Sequence, residues 1–196
     1  DASQRAAVEA ALAERRPLSV IQGPPGSGKT GVIVELARRA TASGLRVLLC
    51  APSNMAVDGL ALRLVAADPS LRLVRVGNPE RIETLALNIT AEAVAERQQS
   101  VLEAEAAAEL SEMLREVRSN EQMGRQRKSQ MRDYLRRQSR RTLSKRKANG
   151  ASAAMADAQV LLCTTTAAAE SAVAALPTFD LVVVDEAAQA VAPNAW

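Results

Sequence analysis

The sequence predicts an α/β protein built on an open parallel sheet, with an antiparallel pair of helices inserted into it. Three observations carry the prediction. Short apolar runs alternate with helix-length segments across tight turns, which is the pattern of parallel strands joined by helical crossovers. The run Gly23-Pro24-Pro25-Gly26-Ser27-Gly28-Lys29-Thr30 lies between an apolar stretch at residues 18–22 and a helical stretch at residues 31–42. From Pro79 to Ala148, proline and glycine nearly vanish and Ala, Glu, Arg and Gln take over.

Taken in order, residues 4–15 read as a short amphipathic helix with Ser3 as N-cap, followed by a first strand at residues 19–22. The helix after the glycine loop is closed by Ser43-Gly44. Residues 46–51 are a continuous apolar run, of the kind buried on both faces of a parallel sheet. Pro52-Ser53-Asn54 turns this strand into a helix at residues 55–66, which Asp68-Pro69-Ser70 breaks before a third strand at residues 71–76. Residues 160–164 and 181–184 are two further strands with a helix between them.

The insertion reads as two helices, each about 35 Å long, ended by Asn149-Gly150. Ala106, Leu110, Met113, Leu114 and Val117 form an apolar stripe on the first, and Met131, Tyr134, Leu135 and Gln138 continue it on the second. The first arm is acidic (Glu92, Glu96, Glu103, Glu105, Glu109, Glu112, Glu116) and the second basic, from Arg125 to Lys147. Three readings of the basic run stand: a solvated face paired with the acidic arm, a surface tracking nucleic-acid phosphates, or, for Arg136 to Lys147, a nuclear-localisation signal.

The glycine loop dictates a chemistry. Glycines let the backbone curl so that its N–H groups face a polyphosphate, and the helix that follows adds its positive end. Gly23, Pro24, Pro25, Gly26, Ser27, Gly28, Lys29 and Thr30 are therefore expected to bind ATP as a Walker A loop. Lys29 reaches the β- and γ-phosphates, and the Thr30 hydroxyl ligates Mg²⁺. The apolar run 181–184 ends in two carboxylates, Asp185 and Glu186. Ligands of open parallel sheets sit outside the carboxyl ends of the strands, so this pair and the loop face one crevice. Asp185 is expected to hold Mg²⁺, and Glu186 to orient and polarise an attacking water. Lys29, Asp185 and Glu186 are the catalytic candidates. Asp185 lies 156 residues after Lys29, a spacing that argues against the AAA+ class.

Composition bounds the rest. Apolar residues make up 47% and aromatics 2%, so the core is aliphatic. A net charge of +3 permits a polyanionic partner without demanding one. Cys50 and Cys163 each end an apolar run and read as buried, reduced strand residues, and histidine is absent. No stretch reaches membrane-spanning length and no signal peptide opens the chain, so an intracellular place, cytoplasm or nucleus, and no membrane partner are expected. The chain opens like the interior of a domain and stops within an apparent helix from Ala187, so it is expected to be a piece of something longer.

Asp185-Glu186-Ala187-Ala188-Gln189-Ala190 is similar to the D-E-A-x-Q form of motif II (a DEAA box) in the superfamily 1B helicases related to the nonsense-mediated-decay RNA helicase. Cys50 to Asp58 resembles motif Ia of that family, and Gly23 to Thr30 its motif I. Arg75-Val76-Gly77-Asn78-Pro79-Glu80-Arg81-Ile82, a long helical insertion, and Cys163-Thr164-Thr165-Thr166 follow the family order. Within the family the arrangement looks most like the immunoglobulin mu-switch-binding helicases, although Asn78 stands where they are expected to carry His.

The resemblance implies a RecA-like phosphate-loop fold: residues 1–78 as the first part of a motor domain, 79–150 as a helical insertion, and 151–196 as its continuation to motif II. It implies that Gln4 reads the adenine edge and that Gln189 joins the ATP site. It also implies that Pro52, Ser53, Asn54, Thr164 and Thr166 line a single-strand path, meeting sugar and phosphate rather than bases. The implied partners are single-stranded RNA or DNA and a second RecA-like domain of the same parent chain, which would supply the arginine finger this chain lacks. The implied activity of the parent is ATP-driven 5′→3′ unwinding, with this chain alone hydrolysing ATP feebly. Two other readings of the residues stay open: a phosphate-loop ATPase that remodels protein partners, and a nucleotide-binding module that does not hydrolyse.

Overall fold

The structure, a computed structural model, describes residues 1–13 and 17–189. The chain divides into two compact units, Asp1–Ala91 with Met155–Trp196 and Glu92–Ala154.

The first unit is organised by a four-stranded, all-parallel sheet in the order β2-β3-β1-β4. Its strands are β1 (Val47–Ala51), β2 (Leu73–Arg75), β3 (Val160–Thr164) and β4 (Leu181–Val184). The register pairs Cys50 with Cys163 and Ala51 with Thr164 on one side of β1, and Cys50 with Val184 on the other. Every residue of β1 is buried, as its unbroken apolar run predicts. Helices α2 (Lys29–Ala42) and α3 (Asn54–Ala67) cover one face. There Ile33, Ala37, Ala40, Val57, Leu60, Ala61 and Leu64 pack with Leu49 and Leu162. Val32 and Leu36 of α2 join Val8 of α1 (Ala2–Leu12) above Leu181 and Val183. Helix α7 (Thr165–Ala168) follows β3 and touches β3 and β1. The fold is that of a RecA-like phosphate-loop protein.

Cys50 and Cys163 stand side by side with Sγ atoms 3.8 Å apart, both buried and both reduced. The hydrogen bond to Cys50 and burial together push the Cys163 thiol up.

Two expected details differ. The N-cap of α1 is Asp1, whose carboxylate accepts the Gln4 N–H at 2.9 Å; Ser3 is already helical, and its hydroxyl donates to the same carboxylate. The expected strand at residues 19–22 is no strand. Residues 18–22 lie beside α1 and line a groove of about 400 Å³ with Ser3, Ala7, Ala10 and Ala11, and Val20 is 84% exposed. An apolar run reports a residue's fit to a pleated surface, whereas a strand also needs a neighbour to pair with. Residues 14 and 15 of the expected first helix, and the expected helix beyond Gln189, lie outside the described residues.

The second unit carries α4 (Ala91–Ser119) and α5 (Arg125–Ala148), which form a helical hairpin; α6 (Gly150–Asp157) follows. With 29 residues α4 is about 43 Å long, longer than expected, while the 24 residues of α5 give about 36 Å. Asn120 turns the chain by accepting the Gln122 N–H, and Lys128 donates across the turn to the Arg118 carbonyl. Leu102, Ala106, Leu110 and Leu114 are half-buried on one side of α4, with Val117 buried. On α5 the covered side is rotated from the expected one. Leu135 and Leu143 are half-buried while Met131 and Tyr134 are exposed, because the long stems of Lys128 and Arg132 take part of the covering role. Leaving aside the side chains of residues 140 and 144–148, which the structure does not describe, no ion pair joins the acidic helix to the basic one among the described residues.

Among the described residues, no helix is long and apolar enough to cross a membrane.

Candidate nucleotide and nucleic-acid site

The carboxyl ends of the parallel strands gather the candidate residues. Register alone sets Ala51, Thr164 and Asp185 in a row along that edge, and the Asp185 N–H extends the ladder onto the Cys50 carbonyl at 2.8 Å. The glycine loop reaches the same edge by a length argument. Ser43-Gly44 delivers the C-terminus of α2 to the start of β1, so the 14 residues of α2, about 21 Å, carry Lys29 back across the sheet to the far edge.

Residues 23–28 form a curled loop. Ser27 N–H closes a turn on the Pro24 carbonyl, and Gly26 and Gly28 both sit at positive φ. Gly28 is constrained twice: its φ is +80°, and a Cβ there would stand 2.5 Å from Gln4 Nε2. Helix α2 begins at Lys29 with Gly28 as N-cap and no side-chain cap, so its first N–H groups remain for an anion. Lys29 Nζ donates to the Gly23 carbonyl at 2.7 Å and the Pro24 carbonyl at 3.0 Å, which folds the ammonium into the loop's own mouth. Gln4 lies on the loop as well, donating from Nε2 to the Ser27 carbonyl at 3.0 Å. Thr30 is the second residue of α2 and is partly exposed.

Where β4 ends, the backbone turns abruptly. Asp185 Oδ1 accepts the N–H of Glu186 at 2.9 Å, and the Glu186 carbonyl accepts the Gln189 N–H at 2.8 Å to open a 3₁₀ turn over Ala187–Gln189. Glu186 itself adopts φ +51°, the one non-glycine residue in the left-handed region among those described. Backbone strain of this kind collects at functional sites. No sequence pattern announced it.

On the neighbouring strands the polar candidates double as helix caps. Ser53 Oγ accepts the Ala56 N–H at 3.2 Å to cap α3, and Thr164 Oγ1 accepts the Ala167 N–H at 3.2 Å to cap α7. Each hydroxyl keeps its proton to donate outward. Pro52 precedes this cap, and Thr166 is exposed on α7. Asn54 begins α3, and its Oδ1 accepts Arg75 Nη2 at 2.8 Å. Asn78, in the place where His is expected, caps the 3₁₀ turn Pro79–Arg81 by accepting the Glu80 N–H at 3.0 Å. Sequence reasoning missed the buried pair beneath: Arg75 Nε donates to Asp58 Oδ1 at 2.7 Å, with both side chains sealed from solvent. The available signal was two charged residues inside otherwise apolar elements.

A curled glycine loop at a helix N-terminus, beside a strand that ends in Asp-Glu, defines a phosphate-loop nucleotide-binding protein. A family model described as AAA domain matches residues 1–196, and the chain belongs to that family. The 156-residue gap, which on spacing argues against the AAA+ class, falls wholly inside the match; the family carries the AAA name and the long gap together. The chain is 35% identical to DNA-binding protein SMUBP-2 of Mesocricetus auratus over all of its length, which is 20% of that protein. It is 30% identical to DNA polymerase alpha-associated DNA helicase A of Schizosaccharomyces pombe, again over all of its length and 29% of the relative. Over 41% of the chain it is 48% identical to ATP-dependent helicase upf1 of the same yeast, 9% of that protein. These relatives bear out the resemblance to superfamily 1B helicases, and the chain spans less than a third of the length of each.

Proposed function

We propose that this chain is the ATP-binding half of the motor of an ATP-dependent 5′→3′ nucleic-acid helicase or translocase. The observation that carries the reading is the common edge. Ala51, Thr164 and Asp185 end three neighbouring parallel strands, so the phosphate loop, the acidic pair and the hydroxyl- and amide-bearing turns lie along one rim of one sheet. Nucleotide state and strand contact could then be coupled through a few short turns.

In this reading the loop N–H groups and Lys29 hold the phosphates of ATP, Gln4 contacts adenine, and Gln189 joins the site. Thr30 and Asp185 supply hard oxygen donors of the kind Mg²⁺ takes, and the ion would neutralise charge on the phosphates. Glu186 orients the attacking water and accepts its proton. Pro52, Ser53, Asn54, Thr164 and Thr166 meet the backbone of single-stranded RNA or DNA without reading sequence. The arginine finger and the other wall of the nucleic-acid cleft come from a second RecA-like domain of the parent chain. The helical hairpin is an insertion in this motor domain, and the parent works in the cytoplasm or nucleus.

The test is ATP turnover by the full-length protein, with and without single-stranded RNA or DNA, across a salt series, with Lys29→Ala as the blank. Stimulation that fades as salt rises is the expected result, since phosphate contacts release counterions. Turnover indifferent to nucleic acid would instead support remodelling of protein partners, and absent turnover would leave a nucleotide-binding module.

A further inference from the structure

We propose that Arg75 is a positioning residue for nucleic-acid binding, which turns the Asn54 amide so that its NH₂ group faces the strand path. The inference rests on the reading of Asn54 given above and deepens it. Arg75 ends β2 and is 0% exposed. Its Nε donates to Asp58 Oδ1 at 2.7 Å, its Nη2 to Asn54 Oδ1 at 2.8 Å, and its Nη1 to the Val76 carbonyl. The second oxygen of Asp58 accepts the Glu83 N–H at 2.8 Å, which ties the carboxylate down as well. Gly77 closes the pocket: a Cβ there would stand 2.9 Å from Arg75 Nη1. The guanidinium has one place to be.

A guanidinium donates and never accepts, so the group of Asn54 that faces it has to be the amide oxygen. The NH₂ group then points away from Arg75. It meets no acceptor among the described residues, and it is not among their sealed polar atoms, so it reaches solvent. It does so at the first residue of α3, beside the Ser53 hydroxyl, whose oxygen is already engaged by Ala56. The rim therefore turns its acceptors inward and its donors outward, with the positive end of a 14-residue helix behind them. Phosphate ester oxygens only accept, and they fit such a rim; an amide free to flip would present its oxygen half of the time. A buried ion pair is a poor way to gain stability, since apolar packing does as well. Here it fixes an orientation.

The experiment is equilibrium binding of a labelled single-stranded oligonucleotide, one DNA and one RNA, to the full-length protein and its variants. Asn54→Asp keeps an oxygen for Arg75 but faces the strand with a second one, and affinity is expected to fall about tenfold or more. Arg75→Lys keeps the charge opposite Asp58 but loses the planar fork. It is expected to weaken nucleic-acid binding about five- to tenfold while ATP affinity holds, a split that a merely structural role would not produce. Combined with Asn54→Ala, Arg75→Lys should cost nothing further, because it acts through the residue removed. Losses that add in the double variant, or Asn54→Asp binding like the parent, would overturn the proposal. Asn54→Asp leaves the buried pair intact, so parent-like binding by that variant overturns the proposal even if Arg75→Lys does not fold. A parent protein that binds neither oligonucleotide would overturn the underlying reading of the site, an outcome distinct from variants that bind as the parent does.

Discussion

Glu186 is predicted to be more stably replaced by glycine than by alanine, in reverse of the usual order. Its φ of +51° places a Cβ-bearing residue in the left-handed region. That conformation costs a non-glycine residue about 1–2 kcal/mol. Glycine escapes the cost but loses more chain entropy on folding, about 0.5–1 kcal/mol relative to alanine. The difference leaves Glu186→Gly about 0.5–1 kcal/mol more stable than Glu186→Ala, whereas at an ordinary position it would be less stable by a similar amount. Both variants lack the carboxylate, so their comparison isolates the backbone. Urea unfolding resolves the gap, and thermal unfolding should show about 1–4 °C between them. Turnover should be lost in both, and in Glu186→Gln, which keeps the shape and the strain but cannot accept a proton. An Ala variant as stable as the Gly variant, or better, would refute the strain argument. Turnover surviving in Glu186→Gln would refute the role of the carboxylate.

Other consequences are open to simpler assays. Gly28→Ala would push a Cβ to within 2.5 Å of Gln4 Nε2 at a φ of +80°, so it should loosen the Gln4–Ser27 bond and raise the ATP dissociation constant about tenfold in calorimetric titration. Lys29→Ala removes the phosphate contact we propose together with the two bonds to the Gly23 and Pro24 carbonyls, and turnover should fall about a hundredfold or more. Arg46→Ala would strip donors from the carbonyls of Met155, Ala158 and Pro177 and empty the face of Phe179; a loss of about 2–3 kcal/mol is expected in urea unfolding. Cys163 should resist alkylation in the folded protein up to pH 9, since its bond to Cys50 and burial hold the thiol protonated, and should react once urea unfolds the chain.

The parts of the fold that were legible in the sequence are those decided locally. The runs at Val47–Ala51 and Val160–Thr164 are too apolar for any place but the middle of a parallel sheet, and there they pair in register. The glycine loop, Lys29 and the Asp185-Glu186 pair stood out in the sequence because a phosphate site would leave few choices of residue type or spacing. Residues 18–22 form no strand: their apolar character is real, but pairing depends on what lies beside them. On α5 the misplaced stripe has the same origin: Tyr134 looks like core by type, and the partner surface decides that Leu135 is covered instead.

The hidden part of the site follows a different logic. Residues that touch a ligand are constrained by the ligand's chemistry, which recurs and can be matched in a sequence. Residues that orient them are constrained only by neighbours brought in from elsewhere. Asn54, Asp58, Arg75 and Glu83 come from α3, the end of β2 and the turn beyond it, and no spacing rule connects them. What the sequence does hold is an anomaly: a carboxylate at position 58 within an apolar helix and an arginine at position 75 within a strand, both of which the structure buries. A buried charge is costly enough that it has to be answered by an opposite one. Two such anomalies in one small domain are therefore reason to look for each other, and their meeting point lies directly beneath Asn54, the first residue of α3.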